Sequence, residues 1–416
     1  MKFGVLADLF EGAGAKVLTE VEINRQRSNQ HEFQGVSGFR AFLGTPAEKQ
    51  TFPAVFYWLE DDEDSEPMQL ESFCTWSDVR RGQAGRSPEY HLYYAAESEP
   101  VVHRARAGDQ VVIARSKDGS LMVLFTPEGS IIGQQLLWLF GLDLFEGRSV
   151  ARRLDRDDTI ELGFAARSIL ADLGIETEEP EPDAFDQLIE KFGRDFPGTV
   201  PLSVFARETL SDVDPLDDPD GALVAWMEHE EALFRHLERE IVSDRLKAGF
   251  TEQGSADVDG FLSFSLSVQN RRKSRAGYAF GHHVEAILQA HGVSYTREAT
   301  TEKRNAADFL FPGEDEYADR RYPDNQLAML AVKTSCKDRW RQVLAEADRI
   351  RTKHLLTLEP AISKIQTAEM QGQGLQLVLP ASLHSTYQAD QRAWLMGVGD
   401  FLGAVRDLRG RQRLLI

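Results

Sequence analysis

Asp308, Lys333 and Glu346 are the residues whose types and spacing bring chemistry to this sequence. Asp308 stands in the apolar run AADFLF (306–311), and Lys333 closes a second run, LAMLAVK (327–333). A charged side chain in such a run needs a partner or a metal, because burying a lone charge is costly. Glu346 follows Lys333 at the margin of an apolar helix face made by Trp340, Val343, Leu344 and Ala347. Glu285 is a fourth candidate, flanked by Val284, Ile287 and Leu288 on an earlier helix. Carboxylates are hard oxygen ligands suited to magnesium, which polarises a phosphodiester and lowers the pKa of an attacking water. A lysine alongside positions that water and stabilises the developing charge. On spacing alone, Asp308 and Lys333 serve equally well as a structural ion pair.

The elements that must position these groups form a mixed α/β pattern. Strands are predicted at 306–311, 327–334, 354–358 and 375–380. Helices are predicted over 222–250, ending at Gly249, over 275–292, closing on Gly292, and over 337–351. Strands separated by helices imply a mixed central sheet flanked by helices. Further upstream, PAVFYWLE (53–60), EYHLYYA (89–95), DQVVIAR (109–115) and SLMVLFT (120–126) read as strands, with Lys117-Asp118-Gly119 as a hairpin turn. The stretch 131–142 reads as a buried helix. Many short strands imply a small barrel or sandwich. Acidic, proline-bearing stretches at 176–182 and 212–220 read as linker around a short helix at 185–192. The organisation expected is a β-rich amino-terminal domain over 1–155, a linker with short helices over 156–221, and an α/β domain over 222–416.

The net charge of -20 at first argues against a nucleic-acid partner. It is unevenly spread. From Arg271 onward 22 Lys and Arg stand against 17 Asp and Glu, which leaves 25 against 50 in the residues before it. A basic module joined to an acidic one is compatible with DNA binding by the basic part. No run of about 18 apolar residues is present, so no membrane-spanning helix is expected. The first residues lack the long apolar core of a signal peptide. The two cysteines, Cys74 and Cys336, make neither a disulfide framework nor a zinc cluster. A cytoplasmic location is expected.

One strand carboxylate followed 25 residues later by a strand lysine is the skeleton of the PD-(D/E)XK nuclease site. The residue two before the lysine is Ala331, where that motif usually has an acid, so a second carboxylate must come from elsewhere. Beyond Lys333, Lys337, Asp338, Arg339 and Arg341 crowd the start of the predicted helix. Lys and Arg donate to guanine O6 and N7, and Asp accepts from the cytosine amino group. A solvated helix face with Asp near its N-terminus accounts for the same charges.

Longer blocks carry a resemblance. The runs NRRKSRAG (270–277), ADFLFPG (307–313), LAVKTSCKDRWRQVLAEADRI (330–350), HLLTL (354–358) and LVLPASLH (377–384) resemble, in order, the catalytic domain of the EcoRII restriction endonuclease family. The likeness runs over roughly 249–404. It implies a PD-(D/E)XK fold with a displaced glutamate, and Asp308, Lys333 and Glu346 as catalytic, with Glu285 matching less closely. It implies that Asp308 and Glu346 hold Mg2+. Lys337 and Asp338 fall where similar enzymes read G·C pairs, and Tyr317 and Arg339 match residues near the family's site. Arg341 and the basic run Arg271, Arg272, Lys273 and Arg275 are expected at DNA.

Family members cut CCWGG- or CCNGG-like sites, so the resemblance implies a homodimer acting on double-stranded DNA, with a separately encoded methyltransferase. It also implies 5′-phosphate ends. WMEHEEALFRHLERE (226–240) does not match the family's arginine-rich stretch, which leaves the outer base pairs of the target open. The first 150 residues resemble, in architecture, the family's amino-terminal pseudobarrel that binds an effector copy of the site. Arg25, Arg27, Arg80, Arg81 and Arg86 are its candidate contacts. Two rival readings are a DNA-binding regulator with a vestigial nuclease site and a structure-selective repair nuclease.

Overall fold

The computed structural model describes residues 4–23, 31–62, 68–83, 85–144, 149–158, 163–177, 182, 184–252, 255–302, 305–337 and 339–413. The chain divides into two compact units. One comprises Lys2–Thr177 with Pro360–Ala368; the other comprises Glu178–Glu359 with Glu369–Ile416.

The first unit is built on eight strands: β1 (Phe10–Val17), β2 (Glu32–Phe33), β3 (Gln50–Trp58), β4 (Met68–Asp78), β5 (Tyr90–Tyr94), β6 (Gln110–Ser116), β7 (Leu121–Thr126) and β8 (Val150–Arg153). They form one sheet in the order β2-β5-β4-β3-β7-β6-β1-β8, antiparallel except for β3 beside β7. Successive side chains of a strand point to opposite faces, and here both faces are covered. Val111, Ile113, Leu121, Val123 and Phe125 enter one core, while Val112, Ala114, Met122 and Leu124 enter the other. That explains why β6 and β7 read as unbroken apolar runs. Phe33 on one edge strand and Ala151 on the opposite edge strand pack on the same core, so the sheet is curled around it. The single-turn helices α1 (Glu20–Ile23), α2 (Arg40–Leu43) and α3 (Glu99–Val102) lie between strands. The helices α4 (Ile131–Phe140) and α5 (Phe164–Asp172) cover the other face.

The sequence EGAGAK hides β1 from a propensity reading. Its glycines are required by close approach, since a Cβ on Gly14 would lie 2.5 Å from the Phe39 ring and one on Gly12 would lie 2.5 Å from Phe42. The predicted hairpin turn is present, with Gly119 at φ +88° and the Asp118 carboxylate accepting from Ser120 N at 2.9 Å.

The second unit begins with four helices. The short α6 (Phe185–Phe192) and α7 (Thr199–Glu208) share a core with the long α8 (Pro219–Ala248), through Leu188, Leu202, Phe205, Leu233 and Phe234. Asp218 caps α8 by accepting from Gly221 N at 2.9 Å, and Gly249 ends it at φ +76°. A two-residue ribbon, β9 (Thr251–Glu252) with β10 (Ser255–Ala256), leads into α9 (Val258–Ala290). This helix starts 17 residues before the predicted 275–292 segment.

Five strands follow: β11 (Thr296–Thr300), β12 (Ala306–Phe311), β13 (Ala328–Lys333), β14 (Lys353–Thr357) and β15 (Leu375–Val378). They lie side by side in chain order. The pairs β11–β12 and β12–β13 are antiparallel, and β13–β14 and β14–β15 are parallel, giving a mixed sheet. The remaining helices are α10 (Glu314–Ala318), α11 (Trp340–Val343), α12 (Lys364–Gly372), α13 (Ala389–Arg392) and α14 (Val398–Arg413).

The helix predicted over 337–351 is corrected by the structure. Only Trp340–Val343 is helical, and Ala347 adopts φ +47°, in the left-handed region. The backbone amides that a longer helix would satisfy internally are instead taken by side chains. Thr301 Oγ1 accepts from Ala347 N at 3.3 Å, and Glu302 Oε2 accepts from Asp348 N at 3.1 Å. Among the described residues no helix is long and apolar enough to cross a membrane.

Candidate active site

The antiparallel register of β12 on β13 pairs Phe309 with Leu330, which brings Asp308 beside the end of β13. One oxygen of Asp308, Oδ2, accepts from Lys333 Nζ at 2.9 Å and from the backbone N of Val332 at 2.7 Å. Both side chains stay partly open to solvent, at 34% for Asp308 and 26% for Lys333. The strand therefore delivers the pair at a rim, with a buried sheet behind it.

Glu346 joins them from the turn after α11. Burial raises its carboxyl to about 7, and the Asp308 charge adds to the rise, while Lys333 and Lys353 oppose it. Its Oε2 is buried without a hydrogen-bond partner among the described residues. An orphaned buried carboxylate oxygen is expensive unless something else binds it. The turn is held from behind. Asn305 Nδ2 donates to Ala345 O at 2.7 Å, Thr301 and Glu302 take the next two amides, and Tyr317 OH donates to Glu302 Oε2 at 2.5 Å. Arg349 closes the back of the clamp, donating to Tyr317 O, to Tyr322 O at 2.7 Å and to Asp324 at 2.9 Å. Lys353, at the start of β14, is buried and donates to Ile350 O at 2.9 Å.

Tyr317 is buried and belongs to this clamp, where burial, and then its hydrogen bond to the Glu302 carboxylate, raise its phenol pKa well above the ordinary range. Replacing it by Phe leaves one Glu302 oxygen short of a donor. Tyr317→Phe is expected to lower stability by about 1–2 kcal/mol, read as a fall of a few degrees in melting temperature. An unchanged melting temperature would remove Tyr317 from the clamp.

The segment after Lys333 is a turn rather than a helix start. It is tied down by residues that the sequence did not single out. Glu359 Oε2 accepts from Cys336 N at 3.1 Å, and Thr357 Oγ1 donates to Thr334 O at 3.3 Å. Lys337 is half-buried and Arg339 is exposed on this turn, whereas Asp338 lies outside the described residues. Arg341 stacks over Trp340 at 4.5 Å and pairs with Glu369 at 2.9 Å.

Glu285 is not among the groups that meet at Asp308. It pairs with Arg297 and accepts from Tyr295 OH at 3.1 Å. The basic run on α9 divides by burial. Arg275 is 5% exposed, donates to Pro197 O and lies over the Phe234 ring, so it packs the helices instead of facing solvent. Arg272 holds the buried Glu238 at 2.6 Å, and Arg271 is exposed over Phe196. The side chain of Lys273 lies outside the described residues. In the first unit Arg80 pairs with Glu89, Arg81 lies 3.8 Å from Glu48, and Arg86 is exposed; Arg25 and Arg27 lie outside the described residues.

Comparison with known proteins adds a class to this geometry. Residues 234–402 match the family model described as EcoRII C terminal, so that stretch is similar to the carboxy-terminal part of EcoRII-like restriction endonucleases. Over 192 residues the chain is 42% identical to the type II restriction enzyme EcoRII of Escherichia coli. The match covers 46% of each protein, so the chain spans about half the length of that relative. Two solved structures are similar at lower identity. Metal-depleted Ecl18kI in complex with uncleaved, modified DNA is 20% identical with a TM-score of 0.44, covering 56% of this chain and 86% of that one. The restriction endonuclease PspGI in its substrate DNA complex is 14% identical with a TM-score of 0.43, covering 52% and 94%.

Proposed function

We propose that this protein is a type II restriction endonuclease that hydrolyses double-stranded DNA at a G·C-containing, near-palindromic site with Mg2+ as cofactor. The observation that carries the reading is the convergence of Asp308 and Lys333 on two strands of one sheet with Glu346, whose Oε2 is buried with no hydrogen-bond partner among the described residues. This is the PD-(D/E)XK arrangement with the acid moved from the position of Ala331 to the turn at 346.

The residues fit a divalent cation. Magnesium is held by one or two carboxylates completed by water and phosphate oxygens, and Asp308 and Glu346 supply that donor set. When bound, the ion supplies Lewis-acid polarisation of the scissile phosphate. The protein's own part is positioning. Lys333 Nζ, fixed on Asp308, orients the attacking water and offers a cation to the charge that develops on the phosphate. Lys337 and Arg339 on the turn beyond Lys333, and Arg341 in α11, are assigned to contacts with bases and backbone next to the cut. Cutting both strands of a near-palindrome calls for two such sites related by a two-fold axis. In the amino-terminal unit, the loop bearing Arg80, Arg81 and Arg86 is assigned to a second, effector copy of the site.

The test is digestion of DNA of known sequence in Mg2+, followed by sequencing of the ends. Double-strand breaks at one recurrent G·C-containing sequence, with 5′-phosphate termini, are expected. Specific binding without any cleavage would favour a regulator with a vestigial site, and cleavage only at branched or mismatched DNA would favour a repair nuclease.

A further inference from the structure

Glu346 owes its aim to its main chain. Its Oε2 makes no hydrogen bond among the described residues, so the turn that carries the side chain sets where that oxygen points. The turn does not hold itself. The helix has ended at Val343, and Ala347 adopts φ +47°, a conformation that a residue with a Cβ keeps only where its surroundings over-determine it. Those surroundings are residues between β11 and β12, together with α10. On one side of Glu346, Asn305 Nδ2 donates to Ala345 O at 2.7 Å. On the other side, Thr301 Oγ1 accepts from Ala347 N at 3.3 Å and Glu302 Oε2 accepts from Asp348 N at 3.1 Å. Of the three, Glu302 reaches furthest. The same Oε2 also accepts from Tyr317 OH on α10, and the Tyr317 oxygen accepts from Arg349 N at 3.4 Å. One half-buried carboxylate oxygen thus ties two successive residues of the turn to a second element.

We infer that Glu302 is a positioning residue of the metal site, which rests on the assignment of Mg2+ to Asp308 and Glu346 above. The reach of its carboxylate fixes the turn that presents Glu346, and so sets the affinity for the cation. Magnesium makes that placement matter, because it demands near-octahedral oxygen ligands at about 2.0–2.1 Å. A ligand on a turn that drifts by a fraction of an ångström meets that demand poorly, and partners behind the ligands are what remove the drift. Reach and charge make opposite demands on residue 302. If a nearby negative charge were what attracts the cation, a shorter carboxylate would serve and a neutral amide would not. If the residue acts by holding the Asp348 amide, an amide oxygen at full length serves, and a carboxylate drawn back by one methylene does not.

Calorimetric titration of the full chain with Mg2+, without DNA, tests this role. Glu302→Gln is expected to bind the ion within about threefold of the unaltered protein, and Glu302→Asp and Glu302→Ala about tenfold more weakly or worse. In the Glu346→Gln background, Glu302→Ala is expected to cost less than about a further twofold, because the group that it positions is gone. A lowered melting temperature is what any lost hydrogen bond gives; this order of affinities is not. Cleavage supplies a second readout. Glu302→Asp is expected to need about tenfold more Mg2+ for half-maximal rate while its rate at saturating Mg2+ stays within about threefold. If Glu302→Ala fails to fold, the comparison of Glu302→Gln with Glu302→Asp still decides. Metal affinity indifferent to these substitutions would overturn the inference, as would a loss in Glu302→Gln equal to that in Glu302→Asp, or an undiminished loss in the Glu346→Gln background. An unaltered protein that binds no Mg2+ would overturn it together with the cofactor assignment. Binding that depends on Glu302 in a protein that cuts no DNA would sink the nuclease reading and leave the role of Glu302 standing. Cleavage by a protein whose metal affinity ignores Glu302 would do the reverse.

Discussion

Lys333→Ala is expected to lower cleavage by about 10²–10³-fold or more while leaving DNA affinity and folding intact. The separation follows from how Asp308 is held. Its Oδ2 accepts from two donors, and only one of them is the lysine; the Val332 amide at 2.7 Å belongs to the sheet and stays when the side chain is removed. Asp308 therefore keeps its place in the variant. The ion pair itself is partly exposed, so its loss costs folding no more than about 1 kcal/mol. What the variant lacks is the ammonium that the proposed mechanism assigns to the charge developing on the phosphate. Single-turnover cleavage, with gel-shift affinity and a thermal melt on the same preparation, checks all three quantities. A variant that cuts within tenfold of the unaltered protein would return Asp308 and Lys333 to a structural ion pair, the alternative that their spacing left open.

The strands of that site were legible for a simple reason. β12 and β13 are short, apolar and interrupted by a single charge each, and such interruptions stand out in the sequence. The interior helix α4 and the turn at Gly119 were legible on local grounds as well. What escaped the sequence depends on tertiary partners. Glu346 was expected on a helix, because Trp340, Val343, Leu344 and Ala347 have helical spacing. Local periodicity does not reveal that Thr301 and Glu302, more than forty residues earlier, capture the amides of Ala347 and Asp348. Trp340, Val343 and Ala347 are buried as the pattern required, but the helix stops at Val343 and Ala347 sits in the turn beyond it. β1 was invisible because its glycines answer the ring of Phe39 and the Cβ of Phe42, which the strand itself does not contain. The early part of α9 was missed because Val258, Leu262 and Leu266 are not buried within their own unit. The basic run at 271–275 read as one DNA-facing group, yet Arg272 and Arg275 are spent on Glu238 and on Pro197 and Phe234. Charge in a sequence does not tell which cations already have work inside the fold.

Binding of Mg2+ to the unaltered protein is expected to strengthen about tenfold for each unit of pH up to about pH 7 and then level off. The sign follows from Glu346. Burial and the nearby Asp308 raise its carboxyl from 4.5 to about 7, so in the metal-free fold it retains its proton through the mildly acidic range. A cation must displace that proton, which makes binding harder the further the pH lies below 7. The same shift acts on stability without metal. A carboxyl raised on folding contributes stability that is complete below its unfolded value, near 4.5, and is lost as the pH rises through about 7. The metal-free protein should therefore melt at a lower temperature at about pH 8 than at about pH 6, and Mg2+ should restore more of the loss at the higher pH. Glu346→Gln removes both trends together. It keeps the shape and burial of the side chain but carries no charge, so its metal-free melting temperature loses this component of pH dependence and its Mg2+ affinity falls by about 10–100-fold or more. Calorimetric titration of Mg2+ and thermal melts across this range read the two effects separately. Should the variant keep both the affinity and the pH profile of the unaltered protein, Glu346 is not a ligand, and the displaced acid must be sought elsewhere.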